Sequence, residues 1–368
     1  MMDAKNLIET LRDKGAGLFT GVPDSLLGSF CAVLEAAGVN HLPAPNEGNA
    51  VALAAGHFLA TGRPAVVYMQ NSGLGNAVNP LASLTDPEVY SIPMLLVVGW
   101  RGEPGVPDEP QHVKQGRITP GLLELLEIPY RIIDADSNAE EEADQAWAAM
   151  MDSQGPSALL IRADSFTKIS AGQSEPECGF RREAAIEKLL NMVNPEDLLV
   201  ATTGKTGREL YELRAKRGEP LNDFLTVGSM GHASSIALGA ALARPDRRLI
   251  CLDGDGAALM HLGALALIGA ERPANFIHIL LNNHCHESVG GQPTCGLGLN
   301  FAAAAKTCGY RSGRKAANLE EIEAIWADID QSPGPHFLEI DIAPGARNDL
   351  GRPKNTPRQC RDQFMAKF

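Results

Sequence analysis

The sequence predicts an α/β protein built from two doubly wound parallel-sheet domains, and two observations support this fold class. Short apolar runs of strand length alternate along the whole chain with amphipathic segments of helix length. A polar stretch with Gly and Pro and without periodicity, residues 165–182, divides this alternation into two parts of comparable size. We therefore expect one domain over residues 1–164, a linker over 165–182 and a second domain over 183–368.

The predicted elements follow in chain order. Four strand-like runs lie in the first domain: GLFTGVP (17–23), AVVYMQN (65–71), PMLLVVGW (93–100) and SALLIRAD (157–164). Between the first two, NAVALAAGHFLATG (49–62) reads as a helix that ends at a glycine. The second domain repeats the rhythm with DLLVATTG (197–204), RRLICLDGDG (247–256), FIHILLNN (276–283) and HFLEIDIA (336–343). The basic tail over 344–364 is predicted either as a loop or as a segment that packs on a neighbouring subunit.

Composition and charge limit the class of protein. The chain of 368 residues is 44% hydrophobic and 21% charged, as in soluble globular proteins. Its net charge of −13 argues against nucleic acid or an anionic membrane as partner. The sequence has neither an apolar run of transmembrane length nor a signal-peptide core at its start, so we expect a cytoplasmic protein. Seven scattered cysteines without a CxxC pair favour reduced thiols over a disulfide framework or a zinc site.

Two short polar groups end successive predicted strands. GDG (254–256) ends one apolar run, and NN (282–283) ends the next, about 25 residues later. Ligands of open α/β sheets bind beyond the carboxyl ends of strands, so both groups lie where a site is expected. The glycines allow close backbone approach and open a helix that favours phosphate, while Asp255 and Asn283 offer oxygen ligands for Mg²⁺. GDG alone could be a tight turn and NN a helix cap, but the pair favours a binding site.

Two nucleotide-binding motifs are excluded by their spacing. TTGKTGRELYE (202–212) resembles a P-loop, but the required glycine five residues before Gly204 is replaced by Leu199. The stretch from Gly204 to Gly207 is therefore expected to be a loop that faces a cofactor or substrate. A dinucleotide-binding GxGxxG followed by an acid about twenty residues later is also absent from the sequence.

The spacing of GDG and NN resembles the cofactor motif of the thiamine-diphosphate enzymes related to pyruvate decarboxylase. The resemblance implies that Asp255, the Asn283 side chain and the main-chain carbonyl of Cys285 hold Mg²⁺ against the diphosphate. It also implies that a pyrimidine-binding domain precedes a diphosphate-binding domain, and that the protein is a homo-oligomer with active sites between subunits. The glycines expected against the cofactor are Gly73, Gly204, Gly254 and Gly256.

The same resemblance assigns two further cofactor residues. Glu47 lies at the start of an apolar helix in PAPNEGNAVALAAG (43–56), where the family places the glutamate that hydrogen-bonds N1′ of the aminopyrimidine. An acid in a first helical turn is also favoured by the helix dipole alone. Met230, between glycines in GSMGHASSIALGAAL (228–242), has the place of the bulky residue that supports the bent cofactor, and the less favoured alternative is a core methionine.

Within these enzymes, the short two-domain arrangement resembles the phosphonopyruvate decarboxylases and their relatives the sulfopyruvate decarboxylases. The stretches that carry this resemblance are GVPDSLL (21–27), NEGNAVALAAG (46–56), YMQNSGLGNAVNPLASL (68–84), GWRGEPGVPDEPQHVKQG (99–116), TTGKTGREL (202–210) and HESVGGQPT (286–294). The chain leaves no room for the central third domain of the larger enzymes. The implied reaction converts 3-phosphonopyruvate to phosphonoacetaldehyde and CO₂, in phosphonate biosynthesis. One departure is NNHC (282–285), where smaller residues are expected after the asparagines.

The resemblance and the chemistry together suggest catalytic and substrate-binding residues. Acid–base candidates are Asp24, His112, His286 and Glu287, in addition to Glu47. Candidate cations for the anionic substrate are Arg101, Lys114, Arg117, Lys205 and Arg208, with Asn71 and Ser72 as neutral donors. Each of these side chains could instead be a solvated surface group or a helix cap.

Several alternatives remain open at this point. Sulfopyruvate decarboxylase is the first, followed by another 2-keto acid decarboxylase or an acetolactate-type carboligase. A non-catalytic subunit that binds thiamine diphosphate is a further alternative, although such a protein need not retain Glu47, Asp255 and Asn283 together.

Overall fold

A computed structural model describes residues 1–169, 179–287, 289 and 291–368. The chain divides into two compact units, Met1–Gln173 with Val289–Gln292, and Ser174–Ser288 with Pro293–Phe368. Each unit contains one six-stranded sheet. Among the described residues, we find no helix with the length and apolar character needed to cross a bilayer.

The first unit is a parallel sheet with helices on both faces. Its strands, in the spatial order β2-β1-β3-β4-β6-β5, are β1 Leu18–Gly21, β2 His41–Pro43, β3 Ala65–Gln70, β4 Met94–Gly99, β5 Tyr130–Ile133 and β6 Pro156–Ile161. Its helices are α1 Ala4–Asp13, α2 Gly28–Ala36, α3 Glu47–Thr61, α4 Leu74–Pro80, α5 Pro110–Leu125 and α6 Ala139–Ser153. Two apolar clusters, one on each face, form the core because the inner strands are buried on both sides.

The second unit has the same architecture. Its strands, in the order β11-β12-β10-β9-β7-β8, are β7 Leu198–Ala201, β8 Phe224–Leu225, β9 Leu249–Gly254, β10 Phe276–Asn282, β11 Ser312–Ala316 and β12 His336–Asp341. Its helices are α7 Arg182–Leu190, α8 Lys205–Lys216, α9 Ala233–Ala243, α10 Asp255–Met260, α11 Ala264–Glu271, α12 Phe301–Cys308, α13 Leu319–Asp330 and α14 Pro357–Met365. Numbered within each unit, the strand order is the same in both sheets.

The predicted fold class is confirmed by these two parallel sheets. All eight predicted strands are present, as β1, β3, β4 and β6 in the first sheet and β7, β9, β10 and β12 in the second. The predicted helix also forms: Asn46 caps α3 by accepting a hydrogen bond from the Asn49 amide, and Gly62 ends it with a φ of 67°. The four strands that the sequence did not predict are the two outer strands of each sheet.

The described ends of the predicted linker pack against the units. Phe166 is buried in the first unit and pairs with Met2, whereas Arg182 begins α7 of the second unit. Residues 170–178 of this prediction lie outside the described residues.

The C-terminal tail differs from the predicted loop because it ends in a helix that packs on its own unit. Phe364 of α14 is buried and lies 5.6 Å from Phe224, measured between ring centroids. Upstream of α14, Arg208 on α8 donates hydrogen bonds to the main-chain carbonyls of Leu350 and Gly351. Arg208, a predicted cation for the substrate, thus holds the tail.

Candidate active site

The carboxyl edge of the second sheet carries the two predicted metal ligands. Asp255 follows the last residue of β9 and is 3% exposed, and Asn283 follows the last residue of β10 and is 8% exposed. Burial raises the pKa of Asp255, whose carboxylate accepts a hydrogen bond from Thr294 Oγ1 at 2.8 Å. A divalent cation at this carboxylate would offset the cost of burying its charge. The donor set therefore fits a Mg²⁺ site.

The loop after β10, residues 283–287, is closed by the Asn283 amide. Asn283 Oδ1 accepts a hydrogen bond from the Cys285 amide at 3.2 Å, and Asn283 Nδ2 donates to Glu287 Oε2 at 2.8 Å. His284, the departure from the family pattern, has a φ of 59° and lies 3.5 Å from Asp341 through Nε2 and Oδ1. The thiol of Cys285 is half-buried, and burial raises its pKa to about 11, so Cys285 can offer its main-chain carbonyl while the thiol stays protonated.

Met230 and His286 meet at a glycine of the GDG motif. A methyl group added at Gly256 would lie 3.4 Å from the His286 ring and 3.6 Å from Met230 Cε. Burial lowers the pKa of His286 to about 4, so its imidazole is neutral near pH 7. A methyl group at Gly254 would meet no atom within 4 Å, so the backbone is open to a ligand there.

Glu287 and Lys205 lie in a buried network of charges. Glu287 accepts hydrogen bonds from Lys205 Nζ at 2.7 Å and from Arg182 Nη1 at 3.0 Å. Burial would raise the pKa of Glu287, but the charges and hydrogen bonds of Arg182 and Lys205 lower it to about 2. Lys205 begins α8 directly after Gly204, whose φ of 97° is accessible mainly to glycine.

In the first unit, Glu47 is the buried first residue of α3. Its exposed fraction is 4%, burial raises its pKa, and Asn76 Nδ2 donates a hydrogen bond to its Oε2 at 2.8 Å. A methyl group at Gly73 would lie 2.4 Å from Glu47 Oε1, so the absence of a side chain at residue 73 makes room for this carboxyl.

Asp24 lies beyond the carboxyl ends of β1, β3 and β4, next to Gln70 and Ser72. It is fully buried, and burial raises its pKa. Gln70 Nε2 donates to Asp24 Oδ1 at 2.6 Å, and Ser72 Oγ donates to Gln70 Oε1 at 2.7 Å. Asp24, Gln70 and Ser72 thus form a hydrogen-bonded chain.

Arg101 and His112 share a carboxylate that the sequence analysis did not single out. Asp108 accepts hydrogen bonds from Arg101 Nε at 2.8 Å and Nη2 at 2.5 Å, and its Oδ1 lies 2.9 Å from His112 Nδ1. Partial burial opposes ionisation of Asp108, but the hydrogen bonds from Arg101 and His112 hold its pKa well below the usual range. Asp108 lies just before α5 and His112 lies in its first turn, and the spacing Asp-x-x-x-His around Pro110 is the signal that could have identified Asp108.

The remaining predicted residues divide into structural and exposed groups. Asn71 Nδ2 donates to the Arg101 carbonyl and to Thr119 Oγ1, both at 2.9 Å, and Asn71 Oδ1 accepts from the Arg101 amide. The amide of Asn71 is therefore occupied in orienting Arg101. Lys114 and Arg117 lie exposed on α5, one helical turn apart.

A further polar group lies inside the second sheet rather than at its edge. Cys251 and Asp253 on β9 and His278 on β10 have potential metal-ligand atoms within 4.8 Å of one another. All three are buried, and His278 Nε2 lies 3.5 Å from Asp253 Oδ2 while His278 Nδ1 lies 3.1 Å from the Tyr310 hydroxyl. This group lies between the two strands that precede Asp255 and Asn283.

Comparison with known proteins gives matches over both units. Residues 1–120 match the family model of the thiamine pyrophosphate enzyme N-terminal TPP-binding domain, and residues 203–340 match that of the C-terminal TPP-binding domain. The chain is similar to a phosphonopyruvate decarboxylase of Streptomyces viridochromogenes, with 35% identity over 100% of this chain and 95% of the relative. It is also similar to a phosphonopyruvate decarboxylase of Streptomyces hygroscopicus, with 34% identity over 99% of this chain and 93% of the relative. A sulfopyruvate decarboxylase of Methanosarcina acetivorans is 29% identical over 98% of this chain and 96% of the relative.

Proposed function

The chain belongs to the thiamine pyrophosphate enzymes, in the family that includes the phosphonopyruvate decarboxylases, and we propose that it decarboxylates 3-phosphonopyruvate to phosphonoacetaldehyde and CO₂. The observation that carries this proposal is the similarity to two phosphonopyruvate decarboxylases over nearly the entire length of both chains. The burial of Glu47 in the first unit and of Asp255 and Asn283 in the second, the three residues predicted to hold the cofactor and its metal, is consistent with this proposal. The product suggests a role in phosphonate biosynthesis.

In this proposal the second unit holds Mg²⁺ and the diphosphate. Asp255, the Asn283 side chain and the Cys285 carbonyl bind the metal, while Gly204, Gly254 and Gly256 leave the backbone open to the phosphates. Met230 supports the rings of the cofactor from beside Gly256. When bound, the thiazolium supplies the electron sink that decarboxylation of a 2-keto acid requires.

Glu47 is proposed as the acid that exchanges a proton with N1′ of the aminopyrimidine. Burial raises the pKa of Glu47 and so brings it closer to the pH at which the enzyme works. Gly73 gives the carboxyl its space, and Asn76 orients it from the other side.

The substrate is proposed to meet a group of side chains at the edge of the first sheet. Arg101 retains two guanidinium N–H groups beyond those directed at Asp108 and Ser25, and these can bind a phosphonate oxygen. Ser72 is proposed to donate to the substrate after its hydroxyl turns away from Gln70 Oε1, to which it donates in the structure. Asn71 acts by orienting Arg101, and Lys114 and Arg117 raise the local positive potential. Lys205 of the second unit is a further predicted cation for the substrate, and in the structure its ammonium group pairs with Glu287.

Proton transfer is assigned to three groups. His112 is oriented by Asp108, and Asp24 is a buried carboxyl with a raised pKa that can retain a proton. The neutral His286, beside Met230, can accept one.

Sulfopyruvate is the second candidate substrate because the Methanosarcina acetivorans relative also spans nearly the whole chain. The two substrates have similar shapes, but phosphonate can carry a second negative charge near neutral pH. Selection between them therefore depends on how many cations and donors surround the anionic group.

The test is release of CO₂ by the purified protein with thiamine diphosphate and Mg²⁺. Phosphonopyruvate, sulfopyruvate and pyruvate are supplied in parallel, with Glu47→Gln as the control. We expect turnover of phosphonopyruvate above the other two, and a loss of roughly 10²–10⁴-fold in the control. Preference for sulfopyruvate would replace the proposed substrate. Cofactor binding without turnover of any of the three would favour a carboligase or a binding role.

A further inference from the structure

Four charged residues in or next to loop 283–287 form a cluster, in which Arg182 and Glu209 are buried and Lys205 and Glu287 are partly buried. The Arg182 cluster consists of Arg182 at the start of α7, Lys205 and Glu209 on α8, and Glu287 in the loop after β10. Arg182 donates to both Glu209 oxygens, at 2.8 and 3.1 Å, and to Glu287 at 3.0 Å. The two cations and two carboxylates balance, which is the condition under which such charges are stable in a protein interior.

Glu287 connects this cluster to a proposed metal ligand. The Asn283 amide has one donor end and one acceptor end, and Glu287 accepts only from the donor end. The acceptor end, Oδ1, is thereby turned away from Glu287, towards the Cys285 amide. The orientation of the amide and the closure of loop 283–287 thus depend on one carboxylate.

The contacts of Glu287 argue against a role in proton transfer. Its carboxylate receives donors from Arg182, Lys205 and Asn283, and these occupy most of its acceptor positions.

We propose that Arg182 and Glu287 are positioning residues that fix loop 283–287, so that Asn283 Oδ1 and the Cys285 carbonyl are set for the metal of the cofactor. This inference rests on the proposed function. Glu209 fixes the Arg182 guanidinium by accepting two hydrogen bonds from it. Lys205 pairs with Glu287, so that each carboxylate of the cluster has a cation. Outer partners of this kind orient metal ligands without touching the ion.

The first variant is Glu287→Gln, which has the same size but only one acceptor oxygen. If that oxygen remains with Arg182 and Lys205, the new NH₂ faces Asn283 Nδ2, and the Asn283 amide has to turn. We expect the dissociation constant of thiamine diphosphate in Mg²⁺, measured by calorimetry, to rise about 10–100-fold. We expect kcat at saturating cofactor and Mg²⁺ to stay within about threefold of the unmodified protein, because loss of a positioning contact is overcome by saturation.

Arg182→Lys is the second variant. It keeps the positive charge but loses the two-point contact with Glu209, so the affinity for the cofactor should fall in the same direction. Because this change is conservative, the cofactor affinity of Arg182→Lys can still test the inference if Glu287→Gln does not fold.

The matched control is Asp223→Asn. Asp223 is a carboxylate of the same unit, 5% exposed and paired with Arg214 at 3.0 Å, and in the described part of the chain it shares no hydrogen bond or ion pair with loop 283–287. We expect it to lower thermal stability while the affinity for thiamine diphosphate is unchanged. This separates general destabilisation from a specific effect on the loop.

Two results would overturn the inference. A 100-fold fall in kcat at saturating cofactor, with unchanged affinity, would make Glu287 a catalytic residue, and unchanged affinity and kcat in both variants would leave the pair without a role at the site. Failure of the unmodified protein to bind thiamine diphosphate would instead refute the proposed function, and with it the premise of this inference.

Discussion

Among single residues, Glu47 is a carboxyl group in a buried position, where ionisation costs free energy. It is 4% exposed at the start of α3, and burial raises its pKa. Asn76 offsets part of that cost by donating a hydrogen bond to the carboxylate. The residue proposed to activate the cofactor should therefore reduce the stability of the cofactor-free protein near neutral pH.

This cost predicts how stability depends on pH. An unfolded glutamate titrates at about 4.3, whereas the folded pKa of Glu47 is higher, so the folded state binds the extra proton in the interval between them. Stability from this residue falls as pH rises through that interval and stays lower above it. At pH 8, cofactor-free Glu47→Gln should thus have a higher free energy of unfolding than the unmodified protein, by about 1.4 kcal/mol for each unit by which the pKa of Glu47 is raised. This difference in stability should disappear towards pH 4. Thermal melts from pH 4.5 to 8 measure this, and a gap that widens on acidification would contradict it.

Gly73 provides a second test of the same site. A Cβ at residue 73 would lie 2.4 Å from Glu47 Oε1, so Gly73→Ala must displace the carboxyl. We expect kcat to fall by about tenfold or more, up to the roughly 10²–10⁴-fold associated with losing an acid–base group. Gly75→Ala is the control, since a Cβ there meets nothing within 4 Å. Equal activity of the two variants would show that the position of the Glu47 carboxyl does not depend on the absence of a side chain at residue 73.

At the scale of elements, the inner strands were predictable and the outer ones were not. The eight predicted strands are apolar because helices cover them on both faces, as in β4, where every residue is buried. The outer strands β2, β5, β8 and β11 are short and partly exposed, and β11 has the sequence SGRKA. Such segments carry no continuous apolar run, and only their pairing with a neighbouring strand defines them.

The buried pair between β9 and β10 predicts a coupled loss of stability. Asp253 Oδ2 and His278 Nε2 are buried and lie 3.5 Å apart, so a change at either side chain alters the surroundings of the other. We expect His278→Ala to cost about 2–5 kcal/mol in the cofactor-free protein, because it empties the space of a buried ring that packs against Phe337. The double variant with Asp253→Ala should cost less than the sum of the singles by about 0.5–3 kcal/mol. Denaturant unfolding of the four proteins measures the coupling, and strict additivity would show that the two side chains do not interact.

Across the whole molecule, the two predicted metal ligands with a side-chain donor stand at the ends of inner strands, but the partners that surround them were not predictable. Asp255 and Asn283 each follow an apolar run that marks a strand end. Arg182 and Glu287, by contrast, are 105 positions apart in sequence. Local patterns give no information on such pairs, because only the tertiary fold brings them together.

Subunit sharing of the active site is testable by complementation. If, as the resemblance implies, Glu47 of one subunit acts with Asp255 of another, Glu47→Gln and Asp255→Asn should each be inactive alone. A mixed dimer would contain one site with both residues intact, so co-expression should restore about a quarter of the normal sites. Activity of the separated mixed species measures this. No recovery in a verified mixed dimer would mean that each site draws both residues from one chain.

The common strand order of the two sheets has an evolutionary consequence. Strands β7 to β12 repeat the order of β1 to β6, although the two halves share no sequence repeat that can be recognised. In this correspondence β9 and β10, which precede Asp255 and Asn283, match β3 and β4, which precede Asn71 and Arg101. The pattern is that expected of an ancestral gene that duplicated and fused, after which each copy specialised the ends of the same two strands.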